Sequence, residues 1–198
     1  MPGEAVTVIR LLWGGGPVSY RGRWFRLESA RLQPVPAHPW LGLGGNSEPI
    51  LRLAAEQADE WCTAGASLQE LASRLARLDE LALAAGRHPR AIQRTLMTGV
   101  LVGRDRAEIA RRALRLAGLV PQLAGLAPEA IVERLTDEWR WWVGTPDEIV
   151  DQVRPSIRAG LDQVLFQVFD ASDLAALELL AQEVMPGLRS EHRVERAV

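Results

Sequence analysis

The stretch WLGLGGNSEPILRLAAEQADEWCTAG, residues 40–65, holds the residue types best suited to bind a ligand. Its apolar start at residues 40–43 predicts a short buried strand, and two glycines follow directly. Glycine lets the backbone turn tightly and approach a ligand closely. Ser47 is suited to cap the next helix, whose N-terminal N–H groups and partial positive charge suit a phosphate. We call residues 43–47 the glycine elbow. The alternative to a phosphate-binding role is that these glycines only change the direction of the chain.

Alternating strands and helices position this elbow. Apolar, β-rich runs predict further buried strands at residues 60–63, 94–102 and 163–169, and helical segments separate them. Such alternation predicts parallel strands whose strand-to-helix loops share one end, where folds of this class hold their chemistry. We therefore expect an α/β fold with four βα units over residues 40–188.

The first 39 residues predict a different arrangement. Residues 4–13 have helical spacing, residues 18–27 read as a β-hairpin, and the proline-rich residues 30–39 read as an extended connector. The first helix has no lead-in, so we expect a preceding segment to be missing.

Cap signals place the remaining helices. Ser67, Asp105, Thr145 and Ser172 are each suited to begin one, and Thr145–Pro146–Asp147–Glu148 is a complete capping-box sequence. The polar residues 189–198 predict a frayed tail. We expect residues 1–198 to form a single partial domain.

Composition excludes several classes of protein. The net charge of −2 gives no basis for a nucleic-acid partner. All 23 basic residues are arginine, which excludes a Schiff-base or phosphate-loop lysine. The single Cys62 excludes an internal disulfide and favours the cytosol. Because there is no membrane-spanning apolar run and no signal-peptide pattern, we expect a cytoplasmic protein.

Acid–base and metal-binding candidates are few. His38, His88 and His192 do not follow predicted strands, so we interpret them as surface residues. Asp170 follows the last strand and is better placed, and the alternative is that it only forms part of a loop or helix cap. No metal-ligand spacing occurs, and the tryptophans of residues 139–142 fit either core packing or a wall beside a ligand.

Four segments carry a family resemblance in their order and spacing. They are VIRLLWGGGPVSYRGRWFRLESARLQPVP, PWLGLGG with LAAEQADEWCTAG, WVGTPDEIVDQV, and GLDQVLFQVF. Together they resemble the C-terminal half of the luciferase-like monooxygenase family of FMN- or coenzyme F420-dependent oxidoreductases. The resemblance implies the later half of a (β/α)8 barrel, with residues 4–39 as a helix and hairpin insertion.

The resemblance also implies where a cofactor binds. In the family, the residues of the glycine elbow lie against the flavin or deazaflavin and its phosphate tail. The resemblance therefore implies this role for Leu43, Gly44, Gly45, Asn46 and Ser47. It also implies that Thr63 lies near the phosphate. Relatives that use the deazaflavin often carry a lysine soon after this threonine, where this sequence has Ala66. The family's first strands supply further contacts, so no catalytic residue is assigned here.

Two functions remain open. One is an oxidoreductase that uses FMN or F420 for hydride transfer or monooxygenation of a small molecule and that needs an N-terminal half. The other is a non-catalytic half-barrel that associates with itself through open sheet edges. A flavodoxin-like binding domain fits the hairpin less well. Either a homo-oligomer or a complementing N-terminal half is the expected partner, with no membrane or nucleic acid.

Overall fold

The computed structural model describes residues 2–189, and its contacts divide the chain into two compact units. The first unit comprises the chain up to Trp61 together with Arg77–Gln93. The second comprises Cys62–Ala76 and the chain from Arg94 onward.

The described helices and strands follow the predicted alternation. In chain order they are α1 (Pro2–Trp13), β1 (Val18–Arg21), β2 (Arg26–Ala30), β3 (Gly42–Gly44), α2 (Glu48–Gln57), β4 (Glu60–Ala64), α3 (Leu68–Ala84), β5 (Gln93–Val102), α4 (Arg106–Leu119), α5 (Pro128–Glu133), β6 (Trp142–Gly144), α6 (Pro146–Arg158), β7 (Gln163–Gln167) and α7 (Leu174–Leu179). Within residues 2–189, no helix is both long enough and apolar enough to cross a membrane.

In the first unit, β1 and β2 form the predicted antiparallel hairpin. The Gly22 N–H donates to the Phe25 carbonyl across the turn, at 2.9 Å. The carboxylate of Glu4 on α1 accepts the backbone N–H groups of Trp24 and Phe25, each at 3.0 Å. These hydrogen bonds attach the turn to α1.

The first unit also holds β3, which lies beside the start of β4. The Leu41 carbonyl, just before β3, accepts the N–H groups of Asp59 and Glu60 at 2.9 and 3.2 Å. Leu41 packs in a core cluster with Val6 of α1 and Leu53 of α2. This packing holds the strand that leads into the glycine elbow.

The predicted start of the strand at residues 40–43 is wrong. Strand β3 begins at Gly42, and Trp40 is 56% exposed. The indole N–H of Trp40 donates to the Glu60 carboxylate at 3.0 Å. Trp40 therefore lies at the surface and is not a core residue.

In the second unit, β5 pairs in parallel with two strands. Thr95–Gly99 pairs with β7, and Val100–Val102 pairs with β6. The Gly65 N–H donates to the Met97 carbonyl at 3.2 Å, which places the end of β4 beside β5. The predicted parallel pairing is confirmed for β5 and β7, while β6 was not predicted because its apolar run is only three residues long.

Trp141 and Trp142 pack in two different apolar clusters of the second unit. Trp141 is buried with Leu101 of β5 and residues of α4 and α5. Trp142 packs against the cluster of Val100, α6 and α7, with its ring 5.9 Å from that of Phe166. The structure therefore favours core packing for these side chains.

Helix starts agree with the cap signals in most places. Asp105 accepts the Glu108 N–H at 2.7 Å, and the Thr145 N–H donates to Glu148 at 2.9 Å. The last helix differs, because its cap is Asp173, which accepts the Ala176 N–H at 3.0 Å. Ser172 instead bonds to Asp170. The predicted tail at residues 190–198 lies outside the described part of the chain.

Candidate cofactor site

The glycine elbow lies in the first unit and is held by a buried tryptophan. Leu43 is half-buried, and Gly44 is the exposed last residue of β3. Gly45 has a φ of +131°, a conformation that side chains rarely adopt. Its carbonyl accepts the indole N–H of Trp61 at 2.9 Å, and Trp61 is fully buried. The role of Trp61 was not predictable from the sequence, where this residue has the pattern of an ordinary core residue of β4.

The start of α2 offers fewer hydrogen-bond donors than the sequence predicts. Ser47 occupies the N-cap position, but its side chain makes no capping hydrogen bond, so that predicted role is wrong. The Ile50 and Leu51 N–H groups both donate to the Ser47 carbonyl, at 2.9 and 3.0 Å. Pro49 has no N–H group. Asn46 and Ser47 are exposed, so their side chains can reach a ligand.

An acidic residue beside the elbow is neutralised by arginines. The Glu48 carboxylate accepts Arg77 Nη2 at 2.6 Å and Arg52 Nη2 at 3.2 Å. The hydrogen bond from Arg77 is the main reason that the pKa of Glu48 lies below its ordinary value. Paired in this way, the carboxylate opposes an anionic ligand less than a lone one would.

In the second unit, Thr63 lies near the carboxyl end of β4 and contacts an arginine. Thr63 is 1% exposed, and its hydroxyl accepts Arg74 Nη1 at 3.0 Å. Arg74 reaches it from α3 and also lies 3.8 Å from Glu70. Ala66 stands where the family resemblance implies a lysine, and Arg74 brings a cation to the threonine from further along the sequence.

The predicted cap of α3 orders the residues around Arg74. The Ser67 N–H donates to the Glu70 carboxylate at 2.8 Å, and the Glu70 N–H donates back to the Ser67 hydroxyl at 3.3 Å. The hydrogen bonds from Ser67 lower the pKa of Glu70, with smaller contributions from Arg74 and Arg140. The Ser67 cap is therefore confirmed.

Arg140 adds a second cation in this region. Its φ is +59°, which is uncommon for a residue with a side chain. Its carbonyl accepts the Thr98 hydroxyl of β5 at 2.8 Å. The preceding carbonyl, of Trp139, lies 3.5 Å from the position of a Cβ on Gly65. The Thr63 hydroxyl and the Arg74 guanidinium near the end of β4 suit a phosphate or another anion, and the positive charge of Arg140 also lowers the pKa of Glu70.

The acid–base candidates do not form a catalytic group. Asp170 accepts the Ser172 hydroxyl at 2.5 Å and pairs with Arg115 at 2.6 Å. The hydrogen bond from Ser172 is the main cause of its lowered pKa, which disfavours a role as a general acid. His38 and His88 are exposed, and His192 lies outside the described residues. In residues 2–189, no three His, Cys, Asp or Glu side chains group as metal ligands.

An apolar groove lies apart from the predicted residues. It has a volume of about 270 Å³ and is lined mainly by α6, β7 and the residues from Met185 to Arg189. None of the predicted cofactor-binding residues lines it.

Known proteins match nearly the whole chain. The protein-family model "Luciferase-like monooxygenase" matches residues 3–163 of the chain. An F420-dependent glucose-6-phosphate dehydrogenase of Amycolatopsis mediterranei (strain U-32) is 27% identical over 206 residues, which cover 94% of this chain and 60% of that protein. The chain spans 53–60% of the first curated relatives it matches.

Solved structures share the fold. An F420-dependent secondary alcohol dehydrogenase in complex with an F420-acetone adduct superposes with a TM-score of 0.70 at 21% identity, covering 93% of this chain and 60% of its own. The FMN-bound oxygenating constituent of 3,6-diketocamphane monooxygenase from Pseudomonas putida superposes with a TM-score of 0.61 at 17% identity. The match covers 93% of this chain and 62% of that one. These likenesses confirm the α/β fold, and their coverage agrees with part of a (β/α)8 barrel.

Proposed function

Because the chain belongs to the luciferase-like monooxygenase family, we propose that it supplies the later part of an F420- or FMN-dependent oxidoreductase. In this role, residues 1–198 form one partial barrel domain, of which residues 40–188 provide four βα units. The reaction is hydride transfer or monooxygenation of a small molecule. Its remaining groups come from the part of the relatives that this chain does not span.

The contact between Thr63 and Arg74 is the observation that carries the proposal. A phosphate needs hydroxyl and cationic donors, and this pair brings both to the carboxyl end of β4. Arg140 adds positive charge nearby. We propose that Thr63, Arg74 and Arg140 bind the phosphate of the cofactor.

The glycine elbow makes a separate contribution. Within the first unit, we propose that Leu43, Gly44, Gly45, Asn46 and Ser47 are cofactor-binding residues, because glycine lets this backbone approach a ligand closely. The bound ring supplies the redox chemistry, while these residues hold it in place and exclude water. F420 is the preferred candidate, because the curated relative named above is F420-dependent.

The test is fluorescence titration with F420 and with FMN. The isolated chain should bind either one more weakly than micromolar, because part of the barrel is absent. A fusion of this chain to the N-terminal part of the Amycolatopsis mediterranei relative that it does not span should bind F420 tightly.

In that fusion, Arg74→Met should weaken F420 binding by about tenfold or more, because a charge-assisted contact is lost. The control Arg111→Met changes an exposed arginine of α4 and should leave affinity unchanged. A folded fusion that binds neither cofactor would refute the proposed function. Micromolar binding by the isolated chain would refute the need for a further segment.

A further inference from the structure

One arginine of the second unit lies between a buried hydroxyl and a carboxylate. Arg74 donates from Nη1 to the Thr63 hydroxyl at 3.0 Å, and its Nη2 lies 3.8 Å from Oε1 of Glu70. A phosphate bound at Thr63 and Arg74 therefore shares this guanidinium with Glu70. Because both anions then lie beside the same cation, Glu70 repels the phosphate, and the repulsion increases with the charge of the phosphate.

Hydrogen bonds hold the Glu70 carboxylate in place. Its Oε2 accepts the Ser67 N–H at 2.8 Å and the Ser67 hydroxyl at 2.7 Å. These bonds are the main reason that the pKa of Glu70 is lowered, and Arg74 and Arg140 contribute less. The carboxylate is therefore charged at neutral pH, and it can turn away from a bound phosphate only if the cap of α3 breaks.

The two candidate cofactors differ in the charge of their phosphate. FMN ends in a phosphomonoester, a group that carries a charge of about −1.5 to −2 at pH 7. In F420 the phosphate is a diester, which carries a single negative charge, as each phosphate of DNA does. A fixed carboxylate beside the phosphate site repels the monoester more strongly than the diester.

We propose that Glu70 is a specificity-determining residue, which favours a phosphodiester over a phosphomonoester at Thr63 and Arg74 and thereby favours F420 over FMN. This inference rests on the proposed function, because it takes the same two residues as the site of the cofactor phosphate. Arg74 supplies the attraction that both cofactors share, and Glu70 supplies the difference between them.

Two small phosphates separate the effect of charge from the rest of the cofactor. Dimethyl phosphate is a diester, and methyl phosphate is a monoester that is mainly doubly charged at pH 8. NMR titration of the 198-residue chain with each probe, followed at the amides of Thr63 and Arg74, measures the two dissociation constants. The ratio of these constants reports how strongly the site discriminates between the two charges.

The substitution Glu70→Gln removes the charge and keeps the cap, because glutamine also serves at this position of a capping box. It should tighten the binding of methyl phosphate about threefold more than the binding of dimethyl phosphate. In the fusion protein, it should shift the preference between the cofactors towards FMN. The control Glu178→Gln removes a charge from an exposed position of α7 and should leave the ratio unchanged.

The outcomes distinguish this proposal from the proposed function. If Glu70→Gln leaves the ratio unchanged, or if Glu178→Gln changes it equally, the proposal is overturned, while the phosphate site remains. If neither probe shifts the amides of Thr63 and Arg74, the proposal fails together with the assignment of the phosphate to this site. Binding of F420 by the fusion protein tests the oxidoreductase function separately.

Discussion

At the scale of single residues, the two glycines of the elbow have different reasons to be glycine. Gly45 must be glycine because of its φ of +131°. Space is not the reason, because a Cβ at this position would lie 3.5 Å from Ile50, which is an ordinary contact. Gly44 ends β3 and is exposed. The sequence GG does not distinguish these two requirements.

We expect Gly45→Ala to lower the free energy of unfolding by about 1–3 kcal/mol, because alanine is strained at this φ. Gly44→Val should leave unfolding nearly unchanged and should reduce F420 affinity in the fusion protein, because its side chain enters space assigned to the ligand. Urea denaturation and cofactor titration measure the two effects. Equal stabilities of the two variants would contradict this division of roles.

At the scale of elements, one arginine caps the C-terminal end of helix α2. Arg87 donates to the carbonyls of Ala54 and Ala55 from Nη1, at 3.3 and 3.0 Å. Its Nη2 donates to the Ala58 carbonyl at 2.8 Å. These are carbonyls at a helix C-terminus, which a positive charge also stabilises.

Arg87→Ala should therefore lower the free energy of unfolding by about 1–3 kcal/mol. Arg87→Lys should recover only part of this loss, because lysine keeps the charge but not the planar fork of donors. Arg31→Ala, at an exposed connector position, is the control and should have little effect. Full recovery by lysine would show that charge alone stabilises the helix end.

Elements were predictable from the sequence where local signals were strong. The hairpin, the parallel pairing of β5 with β7, and the Ser67 and Asp105 caps follow from apolar periodicity and side-chain capping. Strand β6 and the π-helical segment Arg134–Glu138 before it were not predictable, because tertiary packing of short segments determines them.

Within the site, contacts between distant positions were the unpredictable part. The Thr63 position was inferred from resemblance, but Arg74 lies 11 residues later and reaches it only through the fold of α3. The Ser47 hydroxyl was expected to cap α2 from its type alone. The actual first turn closes on the Ser47 carbonyl.

For the whole molecule, a buried ion pair predicts how stability depends on pH. Asp173 accepts Arg112 Nε at 2.9 Å, and that hydrogen bond is the main reason that the pKa of Asp173 is lowered in the folded state. A pKa that is lower when folded stabilises the protein above the unfolded value of about 3.9. The contribution is lost as the pH falls through the folded pKa.

We therefore expect the free energy of unfolding to fall as the pH is lowered below about 5. Asp173→Asn should be less stable than wild type at pH 7 and should lose less stability on acidification, because asparagine can still cap α7 but has no charge. Urea titrations at pH 7 and below 4 measure the difference. The same acid dependence in both proteins would contradict this role for Asp173.

Under the proposed cofactor-binding role of the elbow, the hydrogen bond from Trp61 to the Gly45 carbonyl links selection on the protein interior to selection on ligand affinity. Substitutions that re-pack the space around this indole would shift the elbow's main chain, even with every ligand-facing side chain preserved. Efforts to change which cofactor is preferred should therefore treat an interior aromatic residue as part of the specificity problem.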